Sequence, residues 1–160
     1  MEIKTVDGAV IWVGDAPTLR AAVEAAVKSG VKLTGADLRS ADLRDADLTG
    51  ADLECAVLAY ADLRGARMQG ADFACADLYA AEMSSADLTG ADLWGADLRI
   101  ANLWAADLTG ADLLGADLRG ARLVCAKLQG ANLRRAKLAA ATFNRADLTD
   151  TCLDDASYAE

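Results

Sequence analysis

From residue 36 to residue 146 an alanine stands at every fifth position, 23 times in succession. Two residues after each alanine comes a large apolar side chain. It is leucine in 19 of the 23 units and Met68, Phe73, Met83 or Phe143 in the rest. Between the two sits a polar residue, most often Asp or Asn, as at Asp37, Asp42, Asp47, Asp52 and Asp62. The unit is Ala-(Asp/Asn)-Leu-x-x. A helix hosts this pattern badly: at about 100° per residue, positions five apart wind round every side. A flat strand fails as well, because an odd period changes face at each repeat. A chain that turns a corner every five residues keeps Ala and Leu inside throughout. The corner positions are often Gly, Ser or Asp, residues suited to turns.

A second period, of 20, counts the corners in one coil. The units starting at Ala46, Ala66, Ala86, Ala106, Ala126 and Ala146 share a fourth position of Thr49, Gln69, Thr89, Thr109, Gln129 and Thr149. Their fifth position is Gly50, Gly70, Gly90, Gly110 and Gly130, then Asp150. Four units therefore make one coil, and residues 20 apart stack. The Thr/Gln column reads as an outward ladder of hydrogen bonds. The Gly column reads as a corner with positive φ.

These tandem units resemble the pentapeptide-repeat family over about residues 31–158. The resemblance implies an all-β solenoid, a right-handed quadrilateral β-helix of about six coils. The inward positions then fall on Ala36/Leu38, Ala41/Leu43 and onward to Ala146/Leu148. Thr151 departs from the alanine rule, and Tyr158 replaces the leucine. Coils spaced about 4.8 Å apart give a column about 30 Å long. Its interior is packed solid, with no room for a ligand.

Residues 1–30 lie outside the repeat and read as an N-terminal capping segment: a β-hairpin over 3–13 and an α-helix over about 16–29. Asp7-Gly8 is a short-hairpin signal between two apolar runs. Asp15 or Thr18 starts the helix, with Pro17 in its first turn. Leu19, Ala22, Val23, Ala26 and Val27 form one apolar stripe. Lys28 suits the last turn, and Gly30 supplies the stop. Such a segment covers the open core and strand edge of the first coil. At the other end, Asp150, Asp154, Asp155 and Glu160 read either as a polar tail or as charges that hold a self-associating end in check.

Charge and composition narrow the function. Sixteen Lys+Arg against 25 Asp+Glu leave a net charge of −9. That disfavours direct contact with nucleic acid or an anionic membrane. No histidine is present, so the commonest neutral-pH acid/base and metal-ligating side chain is missing. The start lacks the basic and apolar regions of a signal peptide, and no apolar run is long enough to span a membrane. The expected location is cytoplasmic. No nucleophile–base pair, phosphate loop or metal-ligand spacing is found, so no catalytic residue, cofactor or metal is assigned and the chain is read as no enzyme.

The candidate binding features lie on the outside. Asp52, Asp72, Asp92 and Asp112 are one coil apart, which places their carboxylates about 5 Å from each other. Like charges so stacked raise one another's pKa and draw cations; the plainer reading is that each accepts a local backbone N–H. Trp94 and Leu114 share one outward column, Trp104 and Val124 a second, and Tyr79 lies beside Tyr60 on a third side. Large exposed aromatics anchor partners. Cys55 and Cys75 occupy one corner column within disulfide range and are expected as free thiols in a reducing compartment. Residues 31–110 carry a net charge of −8, whereas Arg119 to Arg145 run without an acid, an acidic shaft followed by a basic belt.

The leading expectation is a non-catalytic scaffold or protein-interaction module, a monomer or an end-to-end dimer through the C-terminal coil. The family resemblance implies an alternative, a DNA mimic that binds type II topoisomerase (gyrase) and protects against topoisomerase poisons. In that case Asp52, Asp72, Asp92 and Asp112 belong to the surface that stands in for phosphates. The basic belt, the lack of a protruding loop and the lack of a C-terminal helix pattern count against it.

Overall fold

Inter-coil pairing builds the molecule. In the computed structural model, which describes residues 1–158, the second residue of each unit pairs in parallel with the residue 20 further on, from Asp37↔Val57 to Lys137↔Ser157. Glu160 lies outside the described residues. The result is a right-handed quadrilateral β-helix. Three backbone bonds per side join successive coils, as in Leu43 N–H to Asp62 O at 2.8 Å, Asp62 N–H to Ala41 O at 2.9 Å and Asp45 N–H to Arg64 O at 3.0 Å. Each corner is closed by the next alanine, whose N–H donates to the leucine three residues back, as in Ala46 to Leu43 at 3.1 Å.

The corner conformation is more general than the Gly column suggests. The fifth residue of every unit from Gly35 to Asp155 has positive φ, including Tyr60 (61°), Ile100 (53°) and Arg135 (57°). The residue before it does not. A four-residue turn with positive φ only at its third position is type II. An L-residue there costs roughly 1–2 kcal/mol. Fifteen such costs are carried by a ladder in which nearly every main-chain group is bonded.

Inside, Ala and Leu alternate in layers. Leu43 to Leu138 and the intervening alanines are buried, with Met68, Phe73 and Met83 seated in the same column positions as leucine. Each such Leu contributes roughly 1.5–3 kcal/mol by leaving water. Thr151 keeps the corner bond to Leu148 at 3.1 Å, and its hydroxyl donates to Leu128 O at 2.8 Å. The polar substitute is satisfied within the coil below.

The residues before the coils form strands β1 (Glu2–Lys4) and β2 (Val10–Val13) and helix α1 (Leu19–Lys28). The hairpin does not turn on Asp7-Gly8 alone. Thr5 N–H reaches Ala9 O, and Gly8 N–H reaches Thr5 O, with Gly8 at φ 90°. This is a three-residue loop, Val6 to Gly8, whose glycine takes the left-handed position. The helix starts one turn later than Asp15 would give: Thr18 is the N-cap and accepts from Ala21 N–H at 3.1 Å. Pro17 therefore precedes the cap instead of sitting in the first turn. At the other end Gly30 N–H donates to Val27 O and Val31 N–H to Ala26 O, the pair of bonds that defines a Schellman stop. Ala22, Val23 and Ala26 bury against the same core as Leu33 and Leu38.

The two ends of the column differ. On the first coil, Asp37 N–H donates to Lys4 O at 2.7 Å, Asp47 N–H to Glu24 Oε1 at 3.0 Å, and Arg44 O accepts from Arg20 Nη1 at 2.8 Å. The hairpin and α1 thus take up edge groups that no earlier coil can serve. On the last coil, among the described residues, the N–H groups of Phe143, Leu148 and Leu153 have no backbone acceptor. Leu148 is 38% exposed and Tyr158 64%.

Candidate interaction face

The sequence-predicted residues fall on three sides of the prism. Trp94 and Leu114 do stack: Cys75 N–H donates to Trp94 O at 2.8 Å and Gly95 N–H to Leu114 O at 2.9 Å, so their backbones are consecutive rungs. Trp94 is 50% exposed and Leu114 half-buried. Trp104 stands two corners away, on the opposite side, with half-buried Val124 above it. Tyr79 lies between. Its ring meets Tyr60 edge-on at 5.5 Å, and the Arg99 guanidinium covers it at 5.2 Å. Asp97 grips that guanidinium at 2.6 Å. Tyr79 is thus engaged within the molecule by Tyr60 and by Arg99.

The acidic column and the Trp94 column belong to one side. Asp72, Asp92 and Asp112 accept the N–H groups of Ala74, Trp94 and Leu114 at 2.9, 2.9 and 3.0 Å. Asp112 also accepts from Asn132 Nδ2 at 2.9 Å. Stacking goes as expected, with Asp52, Asp72, Asp92 and Asp112 paired in series. The expected upward pKa shift does not hold for Asp52. Lys32 Nζ lies 2.8 Å from its carboxylate, the Thr34 hydroxyl donates to it at 2.9 Å, and together they hold it below the ordinary carboxylate range. Lys32 and Thr34 come from the segment leading into the repeat, so the repeat pattern gives no sign of this contact. Asp72, Asp92 and Asp112 have no cationic partner among the described residues.

Elsewhere about half of the shaft's acids are held in ion pairs. Arg39, Arg44, Arg64, Arg99 and Arg119 each fold back onto the Asp two residues earlier at 2.6 Å. Arg67 reaches Asp47 on the coil before at 2.9 Å, and Lys127 reaches Asp107 likewise at 2.9 Å. The basic belt is thinned by the same means, since Arg119 holds Asp117 in its own unit and Lys127, Arg134 and Lys137 find acids one coil away. Arg122, Arg135 and Arg145 remain without one among the described residues. The Thr/Gln column is not a continuous ladder. Thr49 meets Gln69 at 3.0 Å, but the Gln69 amide then donates to Asp87 at 2.5 Å instead of reaching Thr89.

A surface cleft lies between α1 and the first coils, lined by Glu24, Val27, Lys28, Asp47 and Thr49. Glu24 and Asp47 are joined there by the edge bond already described. Among the described residues no helix is long and apolar enough to cross a membrane.

A sequence model of the family described as Pentapeptide repeats (8 copies) matches residues 29–58, 51–90, 86–123 and 121–157. No curated protein matches the chain. Among solved structures it is similar to a pentapeptide repeat protein from the Arabidopsis thaliana thylakoid lumen, with 33% identity, 56% of this chain and 63% of that chain covered, and a TM-score of 0.55. It is similar to HetL, a pentapeptide repeat protein involved in heterocyst differentiation regulation in the cyanobacterium Nostoc sp. strain PCC 7120, with 30% identity, coverage of 76% and 73%, and a TM-score of 0.49. A third is QnrB1, a plasmid-mediated fluoroquinolone resistance protein, with 24% identity, coverage of 77% and 67%, and a TM-score of 0.48.

Proposed function

The chain belongs to the pentapeptide-repeat family, and on that footing we propose that it is a non-catalytic interaction module, a rigid prism that presents fixed side chains to a protein partner. One observation carries the reading. Half-exposed Trp94 is stacked on Leu114 and bordered by Asp72, Asp92 and Asp112, carboxylates that no cation of the described residues answers. An aromatic anchor beside unanswered charge suits a partner segment with an apolar side chain flanked by Lys or Arg. The rigid backbone lowers the ordering cost of binding. Affinity capture from a lysate of the source cells tests this. A specific partner is retained by the parent and by Trp104→Ala, and its recovery falls about tenfold or more with Trp94→Ala, a loss of about 1.4 kcal/mol. Equal recovery with Trp94→Ala removes this face from the function.

The second reading, gyrase binding by DNA mimicry, draws on the same column Asp72–Asp92–Asp112. It is the weaker one, because ion pairs answer seven of the 14 acids of residues 31–110 and a run from Arg119 to Arg145 without an acid follows them. A supercoiling assay decides: a large molar excess that neither inhibits gyrase nor relieves a quinolone ends it. In the leading reading the molecule is a monomer when dilute, and its 141–158 coil pairs end to end with a second copy when concentrated. The exposed Leu148 and Tyr158 support that.

A further inference from the structure

The corner column beside Trp94 runs Gly35, Cys55, Cys75, Gly95, Gly115, Arg135. Cys55 and Cys75 are exposed free thiols on successive coils. Their backbones repeat each other, with φ of 54° and 56°. Cys55 N–H donates to Ala74 O and Cys75 N–H to Trp94 O, both at 2.8 Å. The two corners are therefore one coil apart, about 4.8 Å, inside the Cα separation a disulfide accepts.

The side chains lean the right way. A Cβ built on Gly95 would stand 3.7 Å from the Cys75 Sγ, and one built on Gly120 would stand 3.1 Å from Ile100 Cγ2. Corner side chains thus reach toward the corner of the following coil. Where Cys75 leans over a glycine, Cys55 leans over a thiol. Burial, then the Cys75 thiol and the Glu54 carboxylate, push the Cys55 thiol above its ordinary range.

We propose that Cys55 and Cys75 form a dithiol modification site that closes into a disulfide by exchange with a low-molecular-weight disulfide. One thiol loses its proton to solvent, and its sulfur attacks one sulfur of the reagent, whose S–S bond breaks and releases a thiolate. The second cysteine, deprotonated in turn, attacks the cysteine sulfur of the mixed disulfide and expels the other half of the reagent. Two protein thiols are oxidised and one disulfide is reduced to two thiols, so the electrons balance. Glu54 and Asp72 lie close enough to act on Cys55; they disfavour anionic reagents and favour uncharged or cationic ones. The closed bond staples two coils across a loop of 20 residues. Cys125 and Cys152 stand in other columns and take no part.

The full chain, reduced and then treated with uncharged 2-hydroxyethyl disulfide, tests this by mass. In the expected product the peptides of Cys55 and Cys75 together lose two hydrogens and carry no reagent, whatever adducts Cys125 and Cys152 bear. Trypsin cuts after Arg64 and Arg67, between the two cysteines, so a non-reduced digest shows their peptides linked. Cys55→Ser and Cys75→Ser each leave a stable reagent adduct on the remaining thiol, and Cys125→Ser leaves the link unchanged. Cationic cystamine closes the bond about tenfold or more faster than anionic dithiodiglycolate at low salt. Reagent adducts on both cysteines without a link, a link to Cys125 or Cys152 instead, or no reaction at either site overturns the proposal. Equal rates with the two charged reagents overturn its charge preference.

Discussion

Every corner of the column demands a left-handed residue, and the sequence supplies glycine at fewer than half of them. Ala105 is one that meets the demand at a cost, with φ of 54°. Replacing it with glycine removes the clash of Cβ with the following carbonyl and adds entropy to the unfolded chain, two effects of opposite sign. The first is the larger, so Ala105→Gly should stabilise by up to about 1 kcal/mol, read as a Tm raised by a few degrees. An unchanged or lower Tm would show that the corner is less strained than its φ implies. Spacing in the sequence located the corners, but their conformation was hidden because Ile100, Tyr60 and Arg135 are not residues by which a left-handed turn is recognised. Site residues were legible to a similar degree. Trp94, Leu114 and the aspartates stack as the 20-residue period says, whereas the engagement of Tyr79 by Tyr60 and Arg99 depends on rotamers that no period encodes.

At the scale of one coil against the next, charge is organised by contact and not by stretch. A net charge of −8 over residues 31–110 makes an acidic shaft, and the cations within it sit on particular acids, Arg44 on Asp42 at 2.6 Å and Arg67 on Asp47 at 2.9 Å. Counting along the chain averages over such pairs, and only the stacked geometry reveals them. The Arg44 guanidinium holds Asp42 down at about 2, and Arg67, with Thr49, holds Asp47 down at about 2. Both values lie below the unfolded value of about 3.9. The stability these pairs give is therefore present above about pH 4 and is lost as the pH falls toward 2. The groups are exposed, so solvent and salt keep the effect small. In Arg67→Gln, melting temperature should fall less steeply between pH 4 and pH 2 than in the parent, and 1 M salt should narrow the gap. Parallel curves for the two proteins would show that the coil-to-coil pair contributes nothing.

Among the described residues the column has its first coil covered by the hairpin and α1 and its last coil uncovered. The hairpin and α1 occupy the backbone edge at Asp37, Arg44 and Asp47, while Phe143, Leu148 and Leu153 present free N–H groups beside apolar side chains among the described residues. An uncovered strand edge with exposed Leu148 is a template for pairing. Sedimentation of the parent should show an average mass that rises with concentration, and Leu148→Glu should stay a single chain over the same range. A parent that remains a single chain throughout would mean that Asp150, Asp154 and Asp155 suffice to keep the ends apart.

The strict pairing of the second residue of each unit with the one 20 ahead has a consequence for how such a chain can change over generations. Loss of one whole unit still leaves small and large apolar residues facing inward, so the chain folds, but everything after the loss is rotated by a quarter turn. Excising one unit between Trp94 and Leu114 would send them to adjacent sides, whereas duplicating four units would merely lengthen the molecule. Ancestry can thus rearrange the outside like the dials of a combination lock while the spindle stays untouched.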